Sequence, residues 1–436
     1  MTDLTPQYLV IATKEPMLDI KVIRENPEEI KRKIVRKGAD GELVDNIIAL
    51  DERRRELILK IEESQSELNK RSKEIAMFHG QQKIDAINEA GSISEKIKEL
   101  KPELDKIVEE YKKTMLQIPN PPADDVEDGA SDKENTTNRL WGKPTEFDFK
   151  VLDSVEIGEK LDVVDIERAV KISGSRFSFI KGDLAILELS LFRYAIDLLV
   201  AEGFTLMIPP VMLNRAIMEG AGYIPGGEDE IYRTQDDQYL AATAEQPLAG
   251  YHMDETLNEK DLPIRYVGIS TCFRREAGSH GKDVRGILRL HQFNKVEMFV
   301  YTTPEKSEEE HEYLVSLEEK LMQGLGLPYE VSNICAGDLG APASKKFDIQ
   351  VWMPSEGKYR ETHSCSNCTD YQARRLNIRY KNKEGKTDFV HTLNGTGFSE
   401  RPLIAIMENY QQKDGSVKVP EILQKYTGFK VMKPKK

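Results

Sequence analysis

The sequence predicts an α+β protein: an antiparallel sheet flanked by helices, preceded by a long antiparallel two-helix coiled-coil arm. Three observations lead there. Apolar residues between Ile47 and Tyr111 recur in two runs at alternating steps of three and four. A proline-rich, acidic stretch after Ile118 then ends the helical pattern. Beyond it, strands and helices alternate without the regular strand–helix–strand spacing of a parallel sheet.

The first run takes Ile47, Leu50, Arg54, Leu57, Ile61, Ser64, Leu68, Arg71 and Ile75; the second takes Ala86, Ala90, Ile93, Ile97, Leu100, Leu104, Ile107 and Tyr111. Both are heptad seams, and Phe78-His-Gly-Gln-Gln between them predicts the turn. About 35 residues per helix would make a rod about 50 Å long. Pro102 lies inside the second seam, where it should bend the helix. Such a rod suits a dimerisation stalk. Arg54 and Arg71, with Lys60, Lys70 and Lys73 near, also suit a face that meets a phosphate backbone. The seams alone leave both open.

Ahead of the arm, residues 1–16 carry no strong pattern and are expected to be a loosely ordered extension. Asn26-Pro-Glu-Glu29 predicts a helix start, with an Asn cap, Pro at the first position and acids in the first turn. Residues 17–120 thus form one domain, 121–140 an acidic linker, and 141–436 the α+β domain. Asp183 to Glu202 predicts a helix, followed by a strand from Phe204 that runs into Pro209-Pro210. Glu305 to Gly324 is a further amphipathic helix, and Leu403 to Gln412 is the predicted last one. Within the second domain, Ile269 to Val300 predicts a hairpin. Ile269–Phe273 and Leu290–Val300 are its strands, joined by a Gly-, Ser- and Lys-containing loop expected to be mobile. Arg274, Arg275 and Glu276 stand at its mouth, where a guanidinium can grip a phosphate and a carboxylate can meet an amine.

At 436 residues the chain has room for two or three domains, and its charged fraction of 31% marks a polar surface. The net charge of −13 argues against a general nucleic-acid coat. Four cysteines in so long a chain point to free thiols in a reducing compartment. Cys365-Ser-Asn-Cys368 has knuckle spacing, but a structural zinc takes four ligands and no second such pair exists; no structural zinc is expected. No stretch approaches the roughly 20 apolar residues of a membrane span, and the first residues lack the basic lead of a signal peptide. A cytoplasmic protein is expected.

Four segments follow one another in the second domain: the helix, strand and Pro209-Pro210; Thr243-Ala-Glu-Gln-Pro-Leu248; the Phe273-Arg-Arg-Glu276 hairpin; and Asn394-Gly-Thr-Gly-Phe-Ser-Glu-Arg401 leading into a helix. In this order they resemble the motifs of the class II aminoacyl-tRNA synthetases. The arm, with His291-Gln-Phe-Asn-Lys-Val-Glu297 and Tyr359-Arg-Glu-Thr-His-Ser-Cys-Ser-Asn-Cys368, is similar to the seryl-tRNA synthetase family in particular.

The resemblance implies a ligase that activates L-serine with ATP, releases pyrophosphate and transfers serine to the 3′ end of tRNA(Ser), and to tRNA(Sec) where present. Arg274 would contact the α-phosphate and the serine carboxylate. Glu276 would meet the adenine amino group, with Arg275 nearby and Phe293 stacked on the ring. Arg401 would reach the γ-phosphate, and Glu361 and Ser364 would hold Mg2+. Thr362 and His363 complete that nucleotide-binding stretch. Thr243, Ala244 and Glu245 would receive the serine ammonium; Glu297 and Thr396 would pair with its hydroxyl, beside Asn394. The resemblance also implies a homodimer with the segment up to Pro210 at its interface, and an arm that recognises the long extra arm of the tRNA by shape. His363 stands where a small residue is expected, and Phe398-Ser-Glu-Arg401 replaces a small, Gly-containing spacer. The rival readings are a synthetase of neighbouring specificity, an amino acid:carrier-protein ligase on the same core, and a catalytically dead scaffold. The arm disfavours the ligase, and Arg274, Glu276, Glu361 and Arg401 together disfavour the scaffold.

Overall fold

The computed structural model describes residues 18–277 and 286–434. The extension read over residues 1–16, and the hairpin-loop tip at 278–285, lie outside the described residues. The chain divides into two compact units, one reaching to Pro119 apart from Arg36–Gly38, the other running from Asn120.

In the first unit, α1 (Ile20–Glu25) is capped by Asp19, whose carboxylate accepts the Lys21 N–H at 2.9 Å. Next, α2 (Pro27–Arg36) opens with Pro27, Glu28 and Glu29 as read from the sequence. Two long helices follow, α3 (Glu42–Met77) and α4 (Gly80–Gln117), joined by Phe78 and His79 alone. Every residue of both seams is buried or half-buried, so the three-and-four periodicity marks the contact face correctly. Pro102 lies within α4, which continues as one helix on both sides of it. At the base, Ile20, Ile23, Ile30, Ile34, Val44, Ile47, Tyr111, Met115 and Ile118 form one apolar cluster.

The seam's polar members do something other than expected. Arg54 is buried, its guanidinium 4.6 Å above the Tyr111 ring and bonded at 2.9 Å to Asp51. Asp51, whose side chain is 1% exposed, also accepts from Arg24 and Arg55. Arg54 is therefore part of the arm's interior rather than a phosphate-reading face. Arg71 pairs with Glu74 and with Glu89 on the opposite helix.

In the second unit, eight strands of the described residues form one sheet: β1 (Thr136–Trp141), β2 (Thr205–Met207), β3 (Ile264–Phe273), β4 (Gln292–Thr302), β5 (Tyr329–Asn333), β6 (Lys345–Met353), β7 (Lys358–Asn367) and β8 (His391–Phe398), in the order β1-β5-β6-β7-β8-β4-β3-β2. All neighbours are antiparallel except β2 and β3. Strand β1 falls in the stretch read as a linker; it pairs with β5 along the sheet edge. Both hairpin strands, β3 and β4, start or end beyond the residues read from the sequence. A further helix, Glu421–Thr427, follows the one expected to be last.

Alternation sorts the sheet's side chains onto two faces. Val296, Met298 and Val300 of β4, Leu393 of β8, and Phe347, Ile349 and Val351 of β6 join one core. Helices α5 (Asp183–Ala201) and α7 (Ser307–Leu325) contribute Leu187, Leu191, Leu314 and Leu321 to it. The short α6 (Glu245–Ala249) and α8 (Tyr371–Leu376), and then α9 (Arg401–Asn409), complete the elements that matter below. The opposite face is polar around Lys295, Glu297, Asn394 and Thr396, and further along β4 its Phe299 and Tyr301 enter a second apolar cluster with Leu248, Leu376 and Ile378.

Removing Asp51 would leave the Arg54 guanidinium buried without its carboxylate. We expect Asp51→Ala to cost about 3 kcal/mol of arm stability. Hydrogen exchange in the whole protein should show it as faster exchange of α3 and α4 amides, with the sheet unchanged; unaltered arm protection would contradict the assignment.

Candidate active site

The polar face of β4, β6, β7 and β8 floors a cavity of about 490 Å3. Phe293 and Lys295 of β4 contribute by alternation, as do Asn394 and Thr396 of β8. Two irregularities decide the rest. In β7, Asp348 faces Ser364 and Gln350 faces Glu361, so Thr362 is an extra residue. This bulge puts both Glu361 and Ser364 on the cavity face, whereas a regular strand would place residues three apart on opposite faces. In β8, the register shifts between Thr396 and Phe398. Phe398 thereby turns into the core, and Ser399, Glu400 and Arg401 come round to the cavity rim. Gly397 allows this, since a Cβ there would sit 2.8 Å from Val296 Cγ1 and 3.1 Å from its carbonyl oxygen.

Glu245 is held at both oxygens. The Gln372 side-chain amide of α8 donates at 2.8 Å and the Tyr223 hydroxyl at 3.0 Å. Burial raises its pKa even so, with Lys295 and Arg274 opposing. Lys295 bridges the Thr243 hydroxyl, at 3.3 Å, and the Glu297 carboxylate, with which it is ion-paired. Glu297 is 1% exposed, with Lys295 as its ion-pair partner, and burial raises its pKa to about 7 against the pull of Lys295. Such a buried carboxylate, paired with one cation and opposite Thr396 in the sheet, has acceptor capacity left for a small substrate hydroxyl.

Arg274 donates from Nε to the Ala242 carbonyl at 3.1 Å, and its guanidinium lies 5.1 Å from the Phe293 ring centre. Glu276, in the left-handed region at φ 50°, accepts from Arg289 at 3.2 Å. Arg401 donates to the Glu361 carboxylate at 3.0 Å and to its carbonyl at 3.1 Å. The Glu361 side chain is 48% exposed to the open cavity. Burial by the surrounding walls acts to raise its pKa, but Arg401, Lys346, Arg274 and Lys295 together hold it below the usual carboxylate value.

Of the residues expected from the sequence, Thr243, Glu245, Arg274, Glu276, Phe293, Glu361, Thr362, Ser364, Asn394, Thr396 and Arg401 line this one cavity. Glu297 lies beneath it and Ala244 is buried at the start of α6. Two expectations need correction. Arg275 is exposed and is not among the lining residues, because it alternates with Arg274 and Glu276 along the chain. His363 faces the opposite side of β7 and packs edge-on against Phe398 in the core. Its buried Nε2–H donates to the Gly397 carbonyl at 3.0 Å, which leaves Nδ1 facing the Thr362 hydroxyl at 2.8 Å. Lys295, Lys346, Arg289, Tyr223 and Gln372 were not read from the sequence. Only Lys295 had a signal, since alternation places it on the face of Phe293 and Glu297.

Glu361 and Ser364 offer hard oxygen donors on one face, and the buried Asp348 Oδ1 beside them has no hydrogen-bond partner. This donor set fits a magnesium ion, which takes one or two protein carboxylates and leaves its remaining positions to water and phosphate.

Residues 17–122 match the family model for the seryl-tRNA synthetase N-terminal domain, and residues 230–410 match that for the tRNA synthetase class II core domain (G, H, P, S and T). The chain is 47% identical to the serine--tRNA ligase of Dictyoglomus turgidum, over 96% of this chain and all of that one. It is 44% identical to that of Thermococcus onnurineus, over 96% and 97% of the two chains. A crystal structure of seryl-tRNA synthetase from Pyrococcus horikoshii complexed with ATP superposes with a TM-score of 0.91 at 42% identity, covering 96% of this chain and 100% of that one. A second, the cytoplasmic enzyme of Naegleria fowleri in complex with AMP, gives 0.85 at 38%, over 96% and 99%. With likeness of this extent across both units, the chain belongs to the seryl-tRNA synthetase family.

Proposed function

We infer that this chain is a serine--tRNA ligase, a class II aminoacyl-tRNA synthetase that activates L-serine with ATP and transfers it to tRNA(Ser). The observation that carries the serine reading is the buried Glu245, fixed by Tyr223 and Gln372, with the buried Glu297 carboxylate opposite Thr396. A carboxylate so held suits an ammonium. A polar floor built for a hydroxyl rejects alanine, because its own groups would then be left unpaired.

In the first step a serine carboxylate oxygen attacks the α-phosphorus of ATP; the bond to the β-phosphate breaks and pyrophosphate leaves. Arg274 neutralises both anions at the point of attack, with Phe293 under the adenine and Glu276 at its amino group. Arg401 takes the distal phosphate. In the second step a terminal ribose hydroxyl of the tRNA attacks the seryl carbonyl, and AMP leaves. Glu361 and Ser364 would hold Mg2+, whose contribution when bound is to offset phosphate charge. The enzyme mainly positions and compensates charge.

The chain's two long helices, α3 and α4, are the tRNA-reading arm. Leu206, Ile208 and Met212, exposed along and just beyond the edge strand β2, support a homodimer in which a second copy covers them. Ile208 is 83% exposed. Four buried free thiols suit work in the reducing cytoplasm. Among the described residues no helix is long and apolar enough to cross a membrane.

ATP–pyrophosphate exchange with serine, threonine, alanine, glycine and cysteine tests the reading: exchange should be supported by serine, and exchange driven by another amino acid instead would overturn it. Glu245→Gln should raise serine KM about thirtyfold, the equivalent of about 2 kcal/mol for a hydrogen bond to a charged group, and leave ATP KM unchanged. Because the acceptor form of Glu297 is lost as pH falls through about 7, serine KM should rise steadily from pH 8 to pH 6. A flat profile would remove Glu297 from the serine site. Deleting residues 44–114 should spare exchange and abolish tRNA charging; retained charging would refute the arm's role.

A further inference from the structure

The rim of the cavity holds a second pair of acids that the reaction above does not use. Glu188 of α5 and Glu400, the residue before α9, are both buried and both bonded to Asn294, and burial raises the pKa of each, so that the close pair holds one proton. Asn294 spans the pair. Its backbone N–H donates to Glu400 Oε1 at 3.0 Å and its side-chain amide donates to Glu188 Oε1 at 3.1 Å. The Thr271 hydroxyl donates to Asn294 Oδ1 at 2.9 Å, which fixes the amide with its NH2 toward Glu188. Asn294 directly follows Phe293, and Glu400 directly precedes Arg401. Glu400 also lies in the segment where the sequence replaces the small spacer expected before that arginine.

We propose that Glu188 and Glu400, sharing one proton, form a clamp that ties the Phe293 end of β4 to the start of α9 and so fixes the distance between the adenine platform and the Arg401 guanidinium. Both are positioning residues: they act on ATP through Phe293 and Arg401. This rests on the reading of the cavity as the ATP site. The groups that face the pair and shift it are few. From α5 comes Glu188, from β4 the neutral Asn294, and from the loop before α9 Glu400 itself. Burial, then the neighbouring Glu188, raises Glu400 to about 8. Above that pH the shared proton leaves, and two carboxylates at hydrogen-bond distance repel.

Steady-state exchange at saturating serine tests the clamp. Wild-type ATP KM should rise about tenfold from pH 7 to pH 9. Glu400→Gln can donate to Glu188 and accept from Asn294 with no proton to lose, so its ATP KM should match the wild type at pH 7 and stay flat to pH 9. Glu400→Ala should raise ATP KM about tenfold at pH 7 and leave serine KM within twofold. A flat wild-type profile, a Glu400→Gln profile that tracks the wild type, or equal effects of Glu400→Ala on serine and ATP would each overturn the clamp. Should Glu400→Ala fail to fold, the wild-type and Glu400→Gln profiles decide. Absence of any serine-dependent exchange in the wild type would instead overturn the ATP-site reading itself.

Discussion

Two bulges in adjacent strands, joined by one neutral histidine, set the geometry on which the site depends. His363 donates to the carbonyl of Gly397, the bulge residue of β8, and meets the hydroxyl of Thr362, the bulge residue of β7. Burial pushes its pKa down to about 3, so the ring stays uncharged in the core. A strand has a period of two, and one inserted residue exchanges its faces. Glu361 and Ser364 share the cavity only because of the first bulge. Phe398 enters the core, and Arg401 reaches Glu361, only because of the second. A side chain in the hydrophobic layer thus determines which polar groups face the ligand.

Charge compensation is the second constraint. Lys295, Lys346, Arg274, Arg289 and Arg401 line the same cavity as Glu245, Glu276, Glu361 and Glu400. The protein as a whole carries −13, yet five cations gather around this cavity. That local concentration of cations suits a triphosphate and a carboxylate, while the buried Glu245 suits an ammonium. Net charge describes the average surface, and this chemistry is local.

Much of this was legible in the residues. The heptads identified the contact faces of α3 and α4, because helical period depends on local spacing alone. The ordered motifs brought eleven expected residues to one cavity. What stayed hidden was nonlocal. Nothing near Thr362 announces a bulge, so His363 read as part of the nucleotide surface although it faces the core. For Arg54 a phosphate-facing reading stayed open because its partners, Asp51 one turn back and Tyr111 on the other helix, meet it only after packing. Lys346 and Gln372 lie outside the motifs and reach the site through sheet and helix placement. All but the last residue of the strand Thr136–Trp141 looked like linker because a short edge strand carries almost no apolar alternation.

The central claim is that serine and ATP meet in this one cavity, with the ammonium at Glu245 and the hydroxyl over Glu297. A crystal structure with a non-hydrolysable seryl-adenylate analogue tests it most directly. The ammonium should lie within hydrogen-bond distance of Glu245 and Thr243, the hydroxyl beside Thr396 and Glu297, and the adenine against Phe293. An analogue bound with its amine away from Glu245, or with its adenine off the Phe293 ring, would contradict it.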